Sequence, residues 1–213
     1  MIIDAMSYLL RRLGSKHLQW LGAGIEKHIV ESASNPKVTI LIPTRDRVEL
    51  LRDCVNSILR LTTYKNFEIF ILDNDSKDPE TIRYFKELSD PRVAIIPVPG
   101  EFNYSKIMNS GVQGTSGELI CLLNNDTLVL SPNWLSGMVS HLDQPGIGLV
   151  GSLLIFPNGG IQHAGIALGY TGVAGHVFAG ELPGESSGQN GLEHECFRVS
   201  AVTFACALTS RKI

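Results

Sequence analysis

The feature that most constrains this chain is the run Val38-Thr39-Ile40-Leu41-Ile42, five apolar or β-branched residues stopped by Pro43. A strand with one wet face alternates apolar and polar residues; an unbroken run reads as a strand covered on both faces. The chain then repeats this pattern, with helices between the runs. Val48, Leu51, Val55, Ile58 and Leu59 recur at helical spacing within 47–61. Phe67–Leu72 reads as a second strand ending at Asp73, and Asp78-Pro79-Glu80 opens a helix with a capping acid and Pro at its first position. Arg92–Ile96 reads as a third strand, Asn103–Val112 as a helix, and Leu119–Leu123 as a fourth strand. Ser131-Pro132-Asn133-Trp134 starts a helix running to about Leu142, and a further strand is expected through Ile147–Ile155. Strands separated by helices of this length imply an α/β fold with a mainly parallel sheet and right-handed crossovers.

In open sheets of this kind ligands bind beyond the carboxyl ends of the strands. Those ends carry Thr44-Arg45-Asp46, Asp73-Asn74-Asp75 and Asn124-Asn125-Asp126. A single acid after a strand is as often a helix cap as a ligand. Three such ends on one edge point to a polar ligand, and carboxylates there suit a hard divalent cation that keeps water and substrate phosphates. Neither GxxxxGK[ST] nor GxGxxG follows any strand, which disfavours P-loop nucleotidases and dinucleotide dehydrogenases. A bound diphosphate would then be neutralised by metal and hydrogen-bond donors.

Composition narrows the class further. At 44% hydrophobic and 18% charged the chain is an ordinary globular protein, and a net charge of −3 gives no basic face for nucleic acid. Cysteines stand at 54, 121, 196 and 206 without a CxxC pair, so a structural zinc site is not expected; Cys54 and Cys121 read as buried small hydrophobes. With no secretory signal in view, a reducing, cytoplasmic setting fits.

Two regions stand apart. Residues 1–35 carry Ile2, Met6, Leu9 and Leu13 at helical spacing beside Arg11, Arg12, Lys16 and His17, and end in the linker Ser32–Pro36. They read either as a helix packed on a protein surface or as one lying on the inner face of the plasma membrane. From Phe156 glycines multiply: Pro157-Asn158-Gly159-Gly160 reads as a hairpin turn, Gly180–Gly191 as a mobile loop, and Val199–Leu208 as a return to the core. His163 and His176 lie in this region, and a single histidine is more often a hydrogen-bonded structural residue than a catalyst. Trp134, at helical spacing with Met138, reads as core.

Together these residues resemble a known family. Val38–Asp46 (VTILIPTRD), Glu68–Ser76 (EIFILDNDS) and Gly117–Thr127 (GELICLLNNDT) are similar to the successive nucleotide-site segments of the inverting family 2 glycosyltransferases. Phe102–Ser105, Gly159–Gly169 (GGIQHAGIALG), Ala174–His176 and Val199–Ala207 (VSAVTFACA) resemble the subgroup found in bacterial O-antigen and surface-polysaccharide synthesis. The resemblance runs from about Pro36 to the C-terminus.

It implies a GT-A fold over 36–213, a nucleoside-diphosphate sugar donor, a glycan or lipid-linked acceptor, and Mg2+ or Mn2+ as cofactor. On the same resemblance Pro43, Thr44, Arg45 and Asp46 lie around the nucleoside, Asp73 meets the base or ribose, and Asn103 belongs to the donor site. The family's Asp-x-Asp falls on Asn124-Asn125-Asp126, with Asp126 as metal ligand and Asn124 in place of the first acid. His176 is expected near the donor phosphates. Inversion needs a base to deprotonate the acceptor; the family's acid for this task would fall beyond Ile213, and Glu193 and Glu195 do not match its position. A truncated enzyme is therefore expected, with a non-catalytic binding or scaffold module as the alternative. A nucleotidyltransferase is disfavoured, since Thr44-Arg45-Asp46-Arg47 is too short and glycine-free for its activation loop.

Overall fold

A computed structural model describes residues 35–169, 172–182 and 196–213. These fall into two compact units, one comprising 35–150 with 204–213, the other lying within Gly151–Thr203. The segment 1–34, on which the membrane-surface reading rests, and most of the expected Gly180–Gly191 loop lie outside the described residues.

The larger unit is built on a six-stranded sheet in the order β3-β2-β1-β4-β10-β5. Its parallel strands are β1 (Val38–Thr44), β2 (Phe67–Asp73), β3 (Val93–Pro97) and β4 (Leu119–Leu123). β10 (Cys206–Ser210) runs antiparallel to β4, and β5 (Leu149–Gly151) follows at the edge. Val38 through Ile42 are all completely buried, as a strand covered on both faces must be. Each large apolar side chain among them contributes about 1.5–3 kcal/mol by leaving water.

Four helices connect the strands: α1 (Val48–Leu61), α2 (Pro79–Glu87), α3 (Tyr104–Gln113) and α4 (Trp134–Leu142). α2 starts as its sequence predicts, with Asp78 Oδ2 accepting from Thr81 N (3.0 Å) ahead of Pro79. α3 packs on β1 and β2 through Ile107 and Met108, which join Leu41, Leu72 and Ile120 in one cluster. A glycine on α3 permits the close approach, since a Cβ at Gly111 would lie 2.7 Å from Leu72 Cδ1. Trp134 is half-buried and donates from Nε1 to Thr62 Oγ1 (2.9 Å), while Met138 is buried, so the pair serves the core.

The expected strand Ile147–Ile155 is corrected. It breaks at Ser152-Leu153: β5 ends at Gly151 in the large sheet, and β6 (Leu154–Ile155) belongs to a separate two-stranded sheet. The end of β5 is crowded by a segment distant in sequence. A Cβ at Gly151 would sit 2.7 Å from Val202, so the chain passes where only glycine fits.

The smaller unit contains two hairpins, β6 with β7 (Ile161–His163) and β8 (Ile166–Leu168) with β9 (Ala174–His176). The first turns at the predicted Pro157–Gly160, where Gly159 takes φ +92° and Phe156 N donates to Gly160 O (2.8 Å). The returning segment is tied to β8 by Ile166 N to Ala201 O (2.9 Å) and Ser200 N to Ile166 O (3.1 Å).

Candidate functional site

Parallel pairing puts the ends of β1, β2 and β4 on one edge, with Thr44 in register with Asp73. The three ends are joined by hydrogen bonds. Asn74 N donates to Thr44 O (2.9 Å), and Asn125 Nδ2 donates to the buried Thr44 Oγ1 (3.0 Å). Thr44 Oγ1 in turn donates to Asp46 O (3.2 Å). Pro43 ends the apolar part of β1, half-buried, and Arg45 is exposed.

Asp46 and Arg47 both adopt left-handed backbone, at φ 56° and 57°. Residues other than glycine rarely do so, and aspartate is among those that tolerate it best. The turn lets the Asp46 carboxylate reach the loop after β2, where Oδ1 accepts from Lys77 N (2.7 Å) and Asp78 N (2.8 Å). Asp46 N donates back to Ser76 Oγ (2.8 Å). Two strand-end loops are thereby locked together, a task for Asp46 that sequence reasoning missed.

The loop after β2 is pinned from within. Asp73 Oδ1 accepts from Ser76 N (3.0 Å), and Asp75, also left-handed at φ 60°, accepts at Oδ2 from Gly100 N (2.8 Å). Asn74 is buried and donates from Nδ2 to Val98 O (2.9 Å) and Gly100 O (3.0 Å). Its place between two acids is its only sequence signal, and that signal suggests a ligand contact rather than a brace. Asn103 caps α3, its Oδ1 accepting from Lys106 N (2.9 Å).

At the end of β4, Asn124 to Thr127 form a turn closed by Thr127 N to Asn124 O (3.4 Å). The turn leans on the chain entering β10, through Asn124 N to Ala205 O (3.0 Å) and Thr127 Oγ1 to Ala205 O (3.5 Å). Asn124 and Asn125 are half-buried and Asp126 is exposed. Beneath the turn Cys54 Sγ donates to Asn124 O (3.6 Å). Burial, and then the negative charge of Asp126, push the Cys54 thiol up to about 12, so it stays protonated and is no nucleophile. Cys54, Cys121 and Cys206 are all buried and free of disulfides.

Among the described residues no group of three or more His, Cys, Asp or Glu side chains could hold a metal ion by itself. One exposed carboxylate, Asp126, does fit a magnesium- or manganese-type ion that takes its remaining ligands from water and a diphosphate.

His176 lies in the smaller unit, exposed on β9. Its Nδ1 is 2.9 Å from Nδ1 of His163 on β7, and the rings meet edge to face. His163 is buried, and desolvation, then the neighbouring His176, lower its pKa to about 4. Above the ordinary imidazole pKa of about 6.5 this neutral histidine costs nothing; as pH falls toward about 4 the unfolded chain binds a proton that the folded one refuses. Stability is therefore expected to drop by about 1.4 kcal/mol per pH unit across that window. Urea unfolding of the wild type and His163→Gln at a series of pH values checks this, the variant losing that slope.

Residues 39–206 match the family described as "Glycosyl transferase family 2". The protein y4gI of Sinorhizobium fredii is 43% identical over 182 residues, which is 84% of this chain and 20% of that protein. O-antigen biosynthesis protein RfbC of Myxococcus xanthus is 40% identical over 178 residues, 84% of this chain and 14% of that one. The chain thus spans a minor part of the length of these relatives. Among solved structures, mannosyltransferase PcManGT from Pyrobaculum calidifontis, in complex with GDP-Man and Mn2+, superposes with TM-score 0.51 at 21% identity, covering 72% of this chain and 47% of that one. The likeness establishes the fold as GT-A, as expected from the sequence. Matched over most of its length, the chain belongs to glycosyl transferase family 2.

Proposed function

We propose that this chain binds a nucleoside-diphosphate sugar and serves a glycosyltransferase that extends a glycan or lipid-linked acceptor in bacterial surface-polysaccharide synthesis. The observation that carries the reading is the edge where Thr44 lies in register with Asp73, bonded to it through the Asn74 backbone amide, and accepts at Oγ1 from Asn125 of the Asn124–Asp126 turn. RfbC, named for O-antigen biosynthesis, and a neighbour that binds GDP-Man with Mn2+ support the substrate class.

In this reading Pro43, Thr44, Arg45, Asp46 and Asp73 border the nucleoside. Asn103, Asn124 and Asn125 complete the donor site, and Asp126 holds a divalent ion. That ion would supply positive charge to the leaving diphosphate. Residues 36–213 act as one transferase domain, and His176 donates to a donor phosphate. No helix among the described residues is long and apolar enough to cross a membrane. The basic and apolar spacing of residues 1–35 supports a peripheral contact with the inner face of the plasma membrane.

A second reading, a donor-binding or scaffold module without catalysis, is favoured by one observation: Asn124 stands where the family pattern has an acid. Calorimetric titration with UDP, GDP and dTDP, with and without Mn2+, tests both. Binding of at least one of them, strengthened by the metal, is expected. Failure of all three to bind sinks the donor-site reading.

A further inference from the structure

Taken singly in the sequence, each histidine reads as a structural residue; the structure pairs them. His163 Nε2 lies 3.3 Å from Thr203 N. A backbone amide can only donate, so Nε2 of His163 must present its lone pair to that amide. In a neutral imidazole the proton then sits on Nδ1. That nitrogen faces Nδ1 of His176 at 2.9 Å, which must accept and so be unprotonated itself. The remaining proton of neutral His176 is left on Nε2. Two successive hydrogen bonds, beginning at a backbone amide, thus fix the tautomer of an exposed ring.

The setting makes the constraint stiff. His163 is 1% exposed and sits on β7 between the buried Ile161 and the loop to β8. The Thr203 amide is held near it by the segment that pairs with Ile166 through Ala201. Gly165, between the two histidines in sequence, adopts φ +119°, and a Cβ there would lie 2.4 Å from Val199 Cγ1, so the backbone around the pair has little freedom. His176 itself is on the accessible side of β9.

We infer that His163 is a positioning residue that locks His176 as its Nε2–H tautomer, so that the exposed ring nitrogen of His176 always presents a donor to a phosphate oxygen. The ligand half of this inference rests on the donor-phosphate role proposed for His176; the tautomer half does not. A donor, rather than an acceptor, is what an anionic diphosphate oxygen requires, and a ring free to exchange tautomers would present it only part of the time. His163 has no need to touch the ligand. It acts through His176 alone, as an outer partner that orients a ligand-binding histidine does elsewhere.

Long-range 1H–15N correlation spectra of the full chain with labelled histidine, taken above the ordinary imidazole range, read the tautomers directly. The expected result is Nδ1–H for His163 and Nε2–H for His176. His163→Asn keeps an amide donor toward His176 and should preserve the His176 pattern; His163→Leu removes it and should give mixed tautomers. A proton on Nδ1 of His176 in the wild type overturns the inference, whether or not the leucine variant folds. So does an unchanged His176 pattern in folded His163→Leu.

Inorganic pyrophosphate with Mn2+ tests the ligand half. His176→Ala should weaken its binding about tenfold, the change expected for one hydrogen bond to a charged group. His163→Leu, which leaves the donor present part of the time, should weaken it by a smaller factor of about two, with His163→Asn near wild type. Unchanged pyrophosphate affinity in His176→Ala, where Asp126→Asn still lowers it, removes the phosphate assignment while leaving the wider donor-site reading intact. Loss in neither His176→Ala nor Asp126→Asn removes the phosphate assignment and counts against that wider reading as well.

Discussion

Replacing Asp126 by Asn should lower metal-dependent affinity for a nucleoside diphosphate by about 10- to 100-fold, or roughly 1.4–2.8 kcal/mol. The substitution keeps the shape of the turn and removes only a charge. The turn is held by contacts of Asn124 and Thr127 to Ala205, none of which uses the Asp126 side chain. Since Asn124 and Asn125 are neutral, Asp126 is the one formal negative charge of this turn. A divalent ion held by few carboxylates is sensitive to each. The complementary variant, Asn124→Asp, should raise metal-dependent affinity, because it adds a second carboxylate to the same turn. Calorimetry with and without Mn2+ reads both changes. Equal affinity of wild type and Asp126→Asn in the presence of metal would remove Asp126 from the metal site.

The second large effect is one of stability. Asp46→Ala should destabilise the fold by about 2–4 kcal/mol, since it deletes a charged acceptor shared by two backbone amides. Lys77 N and Asp78 N lose their partner, and the alanine inherits a left-handed φ of 56° that Asp accommodates better. Asp46→Asn should cost much less, because an amide oxygen can still accept and Asn tolerates the same backbone. Urea unfolding midpoints, at constant dependence on denaturant, give the comparison. If Ala and Asn lose equal stability, the bracing role of the Asp46 carboxylate is wrong. Asp46 would then have to be explained by ligand contact alone.

How much of the molecule is legible in its sequence depends on what kind of force makes each element. β1, β2 and β4 are readable because burial on both faces leaves little polar interruption in the run. α2 is readable because Asp78-Pro79 encodes its start chemically, and the cap is the one observed. The break within 147–155 escapes the sequence because hydropathy does not register a chain that changes sheets, and only the crowding of Gly151 against Val202 marks it. At the strand ends, which residues gather can be read from the topology rule. Their mutual bonds cannot. Asp46 bracing the Lys77–Asp78 backbone and Asn125 reaching Thr44 connect residues 31 to 81 positions apart, a distance over which local pattern carries no information. The histidine pair is hidden for the same reason: each residue alone looks structural, and only their facing Nδ1 atoms give the pair a direction.

The contact between the Asn124–Thr127 turn and Ala205 also sets a schedule. The two partners are 78 residues apart in the chain. During synthesis at about 5–20 residues per second, β1 to β4 emerge roughly 4–16 s before the segment that completes the turn. Loop closure on that scale is slow compared with local helix or hairpin formation. The parallel strands can therefore assemble early, while the charged turn waits for the segment around Ala205 to arrive. A nascent protein halted before Ala205 would hold the edge formed by β1 and β2 and lack the backing of its Asn124–Asp126 corner.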